Sequence, residues 1–301
     1  MQSSARTLLI CGIVVMASGA AVAQSGDPPF PAGVDPGGIA IAIAAAGVTY
    51  TDPAIARCLA RDGEGNPIAA DFADGDGRPW PRHTTQLPVN EARDVDVVLR
   101  EVPCHAGVRI IPIRVDPRRP VSIGQAVAFA AKTPARILVM PLWSGDMRQW
   151  LAFGSAANSF KDLLIIAPSG DDGRDIDANP SYPAAFARET ANTPALPNLL
   201  VVSAATGDAK ALRHTTSFGP KTVSLTVVED AGDNPAHLRH ADTTSPSVRV
   251  AIDLAWTLAC SLKASESGMP AEQLKQKAMA LARPTPSGDG HRLVDIGCRK
   301  R

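Results

Sequence analysis

Residues 163–184 read LLIIAPSGDDGRDIDANPSYPA. The opening run, Leu163 to Ala167, is apolar throughout and too short for a helix. It lacks polar alternation, as expected of a strand covered on both faces. Pro168 ends it, and Ser169-Gly170-Asp171-Asp172-Gly173 is turn chemistry. The same pattern recurs on both sides of this stretch. Ile39 to Ala45 (IAIAIAA), Val108 to Val115 (VRIIPIRV), Arg136 to Leu142 (RILVMPL), Leu199 to Ala205 (LLVVSAA) and Thr222 to Val228 (TVSLTVV) are further strand candidates. Helical patterns separate them. Thr51 is the expected N-cap of a helix with Pro53 in its first turn. Glu91 to Glu101 places Val95, Val98 and Leu99 on one face. Val121 to Lys132 and Met147 to Ser159 follow, then a long helix opened by Ser245-Pro246 and running to about Lys263. Met269 to Ala282 is the last expected helix, and Arg292 to Ile296 a terminal strand. Apolar strands alternating with amphipathic helices predict an α/β fold of three layers, a mostly parallel sheet with helices on both faces. Such sheets hold ligands at the carboxyl ends of their strands. The turns after Ala45, Leu142 and Ala167, and the start of the helix near residue 244, are therefore the places to search for a site.

Composition narrows the function classes. The chain has 301 residues, 45% of them hydrophobic and 20% charged, a globular balance rather than a disordered one. Thirty basic residues face thirty acidic ones, and the only terminal basic cluster is Arg299-Lys300-Arg301. Nothing here forms the basic patch of a nucleic-acid binder. Arg6, the apolar stretch Thr7 to Ala20 and the small-residue site Ala21-Val22-Ala23 have the order of a secretory signal peptide, and the apolar run is short for a membrane span. The expected organisation is a signal over residues 1–23, a Pro/Gly-rich lead-in over 24–38 and a single domain over 39–301. That implies export to the periplasm or the medium, with no stable membrane anchor after cleavage.

Cysteine usage agrees with an oxidising compartment. Cys11 falls in the signal, and Cys58, Cys104, Cys260 and Cys298 remain. No C-x-x-C pair suggests a zinc ribbon or a redox centre. Three pairings are open. Cys58–Cys104 with Cys260–Cys298, each joining neighbours along the chain, is the expected one, against four buried thiols.

Several segments together resemble subtilisin-like serine peptidases. Ile41 to Ile55 (IAIAAAGVTYTDPAI) is similar to that family's first catalytic segment, V-A-V-I-D-T-G-V-x-x-x-H-P-D-L. Val108 to Val115 resembles its A-x-I-x-P-x-R-V strand. Ile165 to Tyr182, continuing into Pro183-Ala184, resembles V-A-A-A-G-N-D-G followed by Y-P-A. Pro197-Asn198-Leu199-Leu200-Val201-Val202 stands where the family has P-N-V-I-x-V, and Ser217-Phe218-Gly219-Pro220 where it has S-N-x-G-P. Asp242 to Val248 stands where it has G-T-S-x-A-x-P-H-V. The matches run in family order from about residue 35 to 283. The resemblance implies a subtilisin-like fold and, by descent, a serine endopeptidase.

The catalytic positions depart from the pattern. Gly47-Val48 sets the family's aspartate on Ala45. Counting back four from Pro246 sets its serine on Asp242. Its histidine falls on Asn90 if helix-to-strand spacing is kept, or on His83 if Arg82-His83-Thr84-Thr85 is matched to H-G-T-H. Its oxyanion-hole asparagine falls on Asp171. A triad needs a hydroxyl nucleophile, an imidazole base and a carboxylate that orients it. Ala45 orients nothing, Asp242 has no hydroxyl, and an ionised Asp171 offers an oxyanion only acceptors and a like charge. In subtilisin itself, losing one oxyanion donor costs about 10²–10³ in rate, and losing nucleophile or base about 10⁶. The peptide groove is altered as well. Met140-Pro141-Leu142-Trp143-Ser144-Gly145 replaces the family's S-L-G strand, with a proline that lacks a donor and a large ring at a glycine position.

The expectation is thus an exported, non-catalytic pseudo-peptidase that binds a protein or peptide along the cleft edge at Trp143, Asp171 and Asp242. The alternative is an active serine endopeptidase with a relocated site, for which His240 with Ser245 or Ser247 is the conceivable constellation. Asp242 and Asn90 have simpler readings as helix caps, and His83, His237 and His240 as loop histidines. Asp74-Gly75-Asp76-Gly77 and Asp171 to Asp177 resemble calcium loops but lack the full ligand run, so turn chemistry is preferred, with no metal and no cofactor expected.

Overall fold

The computed structural model describes residues 26–82, 89–102, 107–191, 194–205, 216–228, 244–266, 268–284 and 291–293. The strands are β1 (Ile39–Ala45), β2 (Ala70–Asp71), β3 (Val108–Arg114), β4 (Ala135–Val139), β5 (Leu164–Pro168), β6 (Leu199–Ala205), β7 (Leu225–Val228), β8 (Ala282–Pro284) and β9 (His291–Leu293). The helices are α1 (Pro53–Ala56), α2 (Val89–Glu101), α3 (Pro120–Lys132), α4 (Leu151–Ser159), α5 (Pro246–Ser261) and α6 (Ala271–Ala280). Among the described residues the strands form one sheet in the order β2-β3-β1-β4-β5-β6-β7-β9-β8, parallel except for the β8–β9 pair.

Alternation along β1 shows why helices cover both faces. Ile39, Ile41, Ile43 and Ala45 point into one core, which includes Val95, Val98 and Leu99 of α2 and the buried side of α5. Ala40, Ala42 and Ala44 point into the other, with Ile123, Ala126 and Val127 of α3 and Phe153 of α4. The small alanine face lets α3 and α4 lie close. A Cβ on Gly124 of α3 would stand 2.9 Å from the Ala152 carbonyl oxygen of α4. The three-layer, mostly parallel arrangement expected from the sequence is the one observed.

Boundaries differ in instructive places. Asp52, not Thr51, caps α1, accepting from the Ala54 amide at 2.9 Å. Thr49 rather than Thr51 is the tied threonine, its amide and hydroxyl both donating to Asp96 on α2. The expected helix from Met147 begins as a 3-10 turn, Met147–Trp150, capped by Asp146, before α4. The strand expected at Thr222 begins at Leu225, because Thr222 and Val223 turn on Gly219. The short edge strands β2 and β8 carried no apolar run to announce them.

The lead-in lies along the body of the molecule. Arg61 donates to the Pro31 carbonyl, Asp35 accepts from the Arg61 amide and Arg109, and Tyr50 donates to the Pro28 carbonyl. Phe30, Tyr50 and Trp80 pack in sequence, the first pair tilted and the second edge-to-face, with centroids 4.3 and 5.2 Å apart.

Candidate active-site cleft

The carboxyl ends of β1 and β5 lie on the same side of the parallel sheet, and the N-terminus of α5 is bonded to the segment that follows β5. At β1 the last residue is Ala45, fully buried, its carbonyl accepting from the Val115 amide at 2.9 Å. A methyl group there packs and does no chemistry. Asn90 lies inside the first turn of α2, since that helix begins at Val89, so the N-cap reading of Asn90 is corrected. His83, His237, His240 and Asp242 fall outside the described residues.

The head of α5 is closed by two carboxylates. Ser245 is the N-cap, accepting from the Val248 amide at 3.2 Å. Its hydroxyl in turn donates to Asp171, through a very short bond. The Ser247 amide donates to the other Asp171 oxygen at 3.2 Å. Asp94, reaching across from α2, takes the Ser245 amide. The amides that a helix leaves free at its start are thus taken by carboxylates from two other segments. Asp171 and Asp94 cap this helix, while the capping expected of Asp242 falls outside the described residues.

Burial dominates the electrostatics of this pair. It pushes Asp94 up to about 6, against the Ser245 amide, with the Asp171 charge adding to the rise. Burial also pushes Asp171 up, against its hydrogen bonds from Ser245 and Ser247. Asp94 was not singled out from the sequence. The signal was present: it shares the helical stripe of Val95, Val98, Leu99 and Val102, an acid set among core positions. Fixing α2 against its neighbours are the Asp96–Thr49 bonds, Arg100 on Asp52 at 2.6 Å and Arg249 on Glu101 at 2.5 Å.

Trp143 is partly buried beside this head. Gly170 has φ +93, and a Cβ on it would lie 2.8 Å from the indole Nε1. The ring therefore rests on the backbone just before Asp171, in the groove between the 141–145 and 168–171 segments. Ser144 has both its backbone groups committed to Tyr182, at 3.0 and 2.8 Å, and its hydroxyl accepts from Trp150 at 2.9 Å. Trp143 thus lies against the residue before Asp171, and Asp94, Ser245 and Ser247 join Asp171 at the head of α5.

A second acidic group lies elsewhere. Asp27, Asp71 and Asp76 place carboxylate oxygens within 4.8 Å of one another, a geometry able to take a metal ion. Two guanidinium groups already bind the cluster. Arg82 contacts Asp27 at 3.0 Å, Asp74 at 3.2 Å and Asp76 at 3.4 Å, and Arg114 contacts Asp71 at 2.9 Å. Asp71 and Asp76 also accept from amides two residues on, the turn role expected for this stretch. Cys58 is buried and Cys260 lies in the last turn of α5, while Cys104 and Cys298 lie outside the described residues.

No protein-family model matches the chain, and no curated protein does. Solved structures do. The chain is similar to a lanthipeptide protease at 14% identity, covering 88% of this chain and 89% of that one with a TM-score of 0.58. It is similar to the nisin leader peptidase NisP of Lactococcus lactis at 13%, covering 88% of each with a TM-score of 0.53. It is similar to the PatG macrocyclase in complex with peptide at 17%, covering 88% and 91% with a TM-score of 0.54. These neighbours have the subtilisin-like architecture, and the fold of this chain is of that class.

Proposed function

We propose that this protein is an exported pseudo-peptidase, a subtilisin-like domain that binds a peptide or protein segment in its cleft without cutting it. The observation that carries this reading is the head of α5. At the head of α5, where Asp171 stands at the resemblance's oxyanion position, two carboxylates consume the helix amides, and β1 ends in Ala45. An oxyanion would meet like charge there instead of donors. Neighbours named as a leader peptidase and as a macrocyclase in complex with peptide support a peptide as the occupant.

The reading of a relocated serine site has one observation in its favour, the Ser245–Asp171 hydrogen bond. Against it, the Ser245 oxygen also caps Val248 and the Ser247 side chain is fully buried, so neither hydroxyl is free for attack. Export is supported by the signal-like residues 1–23. The pairings Cys58–Cys104 and Cys260–Cys298 belong to the same proposal, as expected of an exported chain. Peptide mapping of the unreduced protein tests them.

The test of the function is to incubate the oxidised protein with an unstructured protein substrate and to measure retention and new N-termini together. Retention without new termini is the expected result. New termini that survive purification and disappear in an Asp171→Asn variant would establish a working enzyme instead.

A further inference from the structure

Among the described residues the cleft carries more acid than its contacts neutralise. Asp94 is buried and Asp171 partly buried beside it, and the groups that hydrogen-bond to them are the amides and hydroxyl of α5's first turn. The charged groups facing Asp94 are Asp171, Arg93 of its own helix and Arg249 of α5, and Arg249 is bound to Glu101. A further polar group is turned toward the pair. Ser247 Oγ is fully buried and lies close enough to steady the Asp171 charge, yet it has no partner in hydrogen-bonding geometry. A buried hydroxyl in that state signals a missing donor or acceptor. Two aromatic side chains adjoin the same loop. The Trp143 indole rests on Gly170, while Phe218 is 40% exposed and follows Ser217, whose amide donates to the Gly170 carbonyl.

We propose that this constellation is a recognition site for a primary alkylammonium group of a bound peptide, with Asp171, Asp94 and Ser247 Oγ accepting its three N–H bonds and Trp143 and Phe218 flanking its stem. The match is one of number and type. An ammonium carries three donors and no acceptor. A desolvated cation gains from both carboxylates and from an aromatic face. A guanidinium, planar and five-donor, fits a convergent set of three acceptors less well. The proposal rests on the peptide-binding reading above and names what that cleft selects. The ammonium has two sources in a peptide, a lysine side chain and the N-terminal amine.

The experiment uses three peptides on the full oxidised protein: N-acetyl-Ala-Ala-Pro-Lys-amide, Ala-Ala-Pro-norleucine-amide with a free amine, and its N-acetylated, uncharged form. Titration calorimetry at about pH 7 is expected to show one charged peptide binding about tenfold tighter than the uncharged one. Which of the two does so identifies the source. The preference is expected to vanish in Asp171→Asn and to shrink at about pH 5, as Asp94 takes up a proton. Asp94→Asn serves as the second variant should Asp171→Asn fail to fold. Equal binding of all three peptides removes the ammonium site but leaves the peptide cleft standing. Binding of none removes both. A charged preference that survives both variants overturns the assignment to these residues.

Discussion

Asp94 occupies a core position of α2, and burial there raises its carboxyl to about 6. The sign of the consequence is opposite to that of a salt-bridged acid. An acid whose folded pKa is raised loses stability as pH climbs from its unfolded value near 3.9 through its folded one. The protein should therefore gain stability from this residue on acidification, by ~1 kcal/mol from about pH 7 to about pH 5, with the remainder of a total of about 3 kcal/mol gained as pH falls on through the unfolded value. Carboxylates held low elsewhere, such as Asp35 and Asp177, contribute the reverse slope below that window. The clean readout is the difference between wild type and Asp94→Asn. The variant's thermal midpoint should rise relative to wild type at neutral pH and coincide with it in acid. Ser245 makes a second prediction at this scale. Ser245→Ala removes the N-cap of the central helix and one of the donors on Asp171, and should cost about 1–2 kcal/mol in chemical denaturation.

At the scale of elements, two close approaches define the cleft and its back. Gly170→Ala would force a Cβ onto the Trp143 indole at a backbone φ of +93. The expected result is a displaced ring, read as a shift in tryptophan emission absent from a Trp143→Phe background. On the opposite face, Gly124→Val would drive α4 away from α3, since even a Cβ meets the Ala152 backbone at 2.9 Å. Destabilisation of about 1–3 kcal/mol is expected, measured by urea midpoint. These elements also show what the sequence made legible. The buried parallel strands were readable because apolar runs such as Ile39–Ala45 and Leu199–Ala205 need no partner to declare themselves. The edge strands β2 and β8 were not, because pairing rather than pattern defines a two- or three-residue strand. The α1 cap was misplaced by one residue because Thr51 and Asp52 are both good caps, and tertiary contacts chose between them.

At the scale of the whole molecule, the ordered segments pointed to the subtilisin-like architecture, and the fold places the carboxyl ends of β1 and β5 on the same side of the parallel sheet, with the N-terminus of α5 bonded to the segment that follows β5. The site was half legible. Asp171 and Trp143 could be found by their position in quoted segments. Asp94 showed only as an acid on an apolar helical stripe, because its meeting with Asp171 spans 77 residues of sequence and depends on how α2 crosses α5. The result is a helix head at which Asp94 and Asp171 gather, with Ala45 closing β1 and no imidazole bonded to either acid among the described residues.

The most direct test of that arrangement is labelling of the oxidised protein with a fluorophosphonate probe, followed by intact-mass analysis. Such a probe modifies a serine only when it is activated by a base and its adduct is stabilised by an oxyanion hole. The unmodified mass is expected, at neutral and at acidic pH alike. A stoichiometric adduct mapped to Ser245, Ser247 or any other serine would contradict the account and define the chain as a working hydrolase.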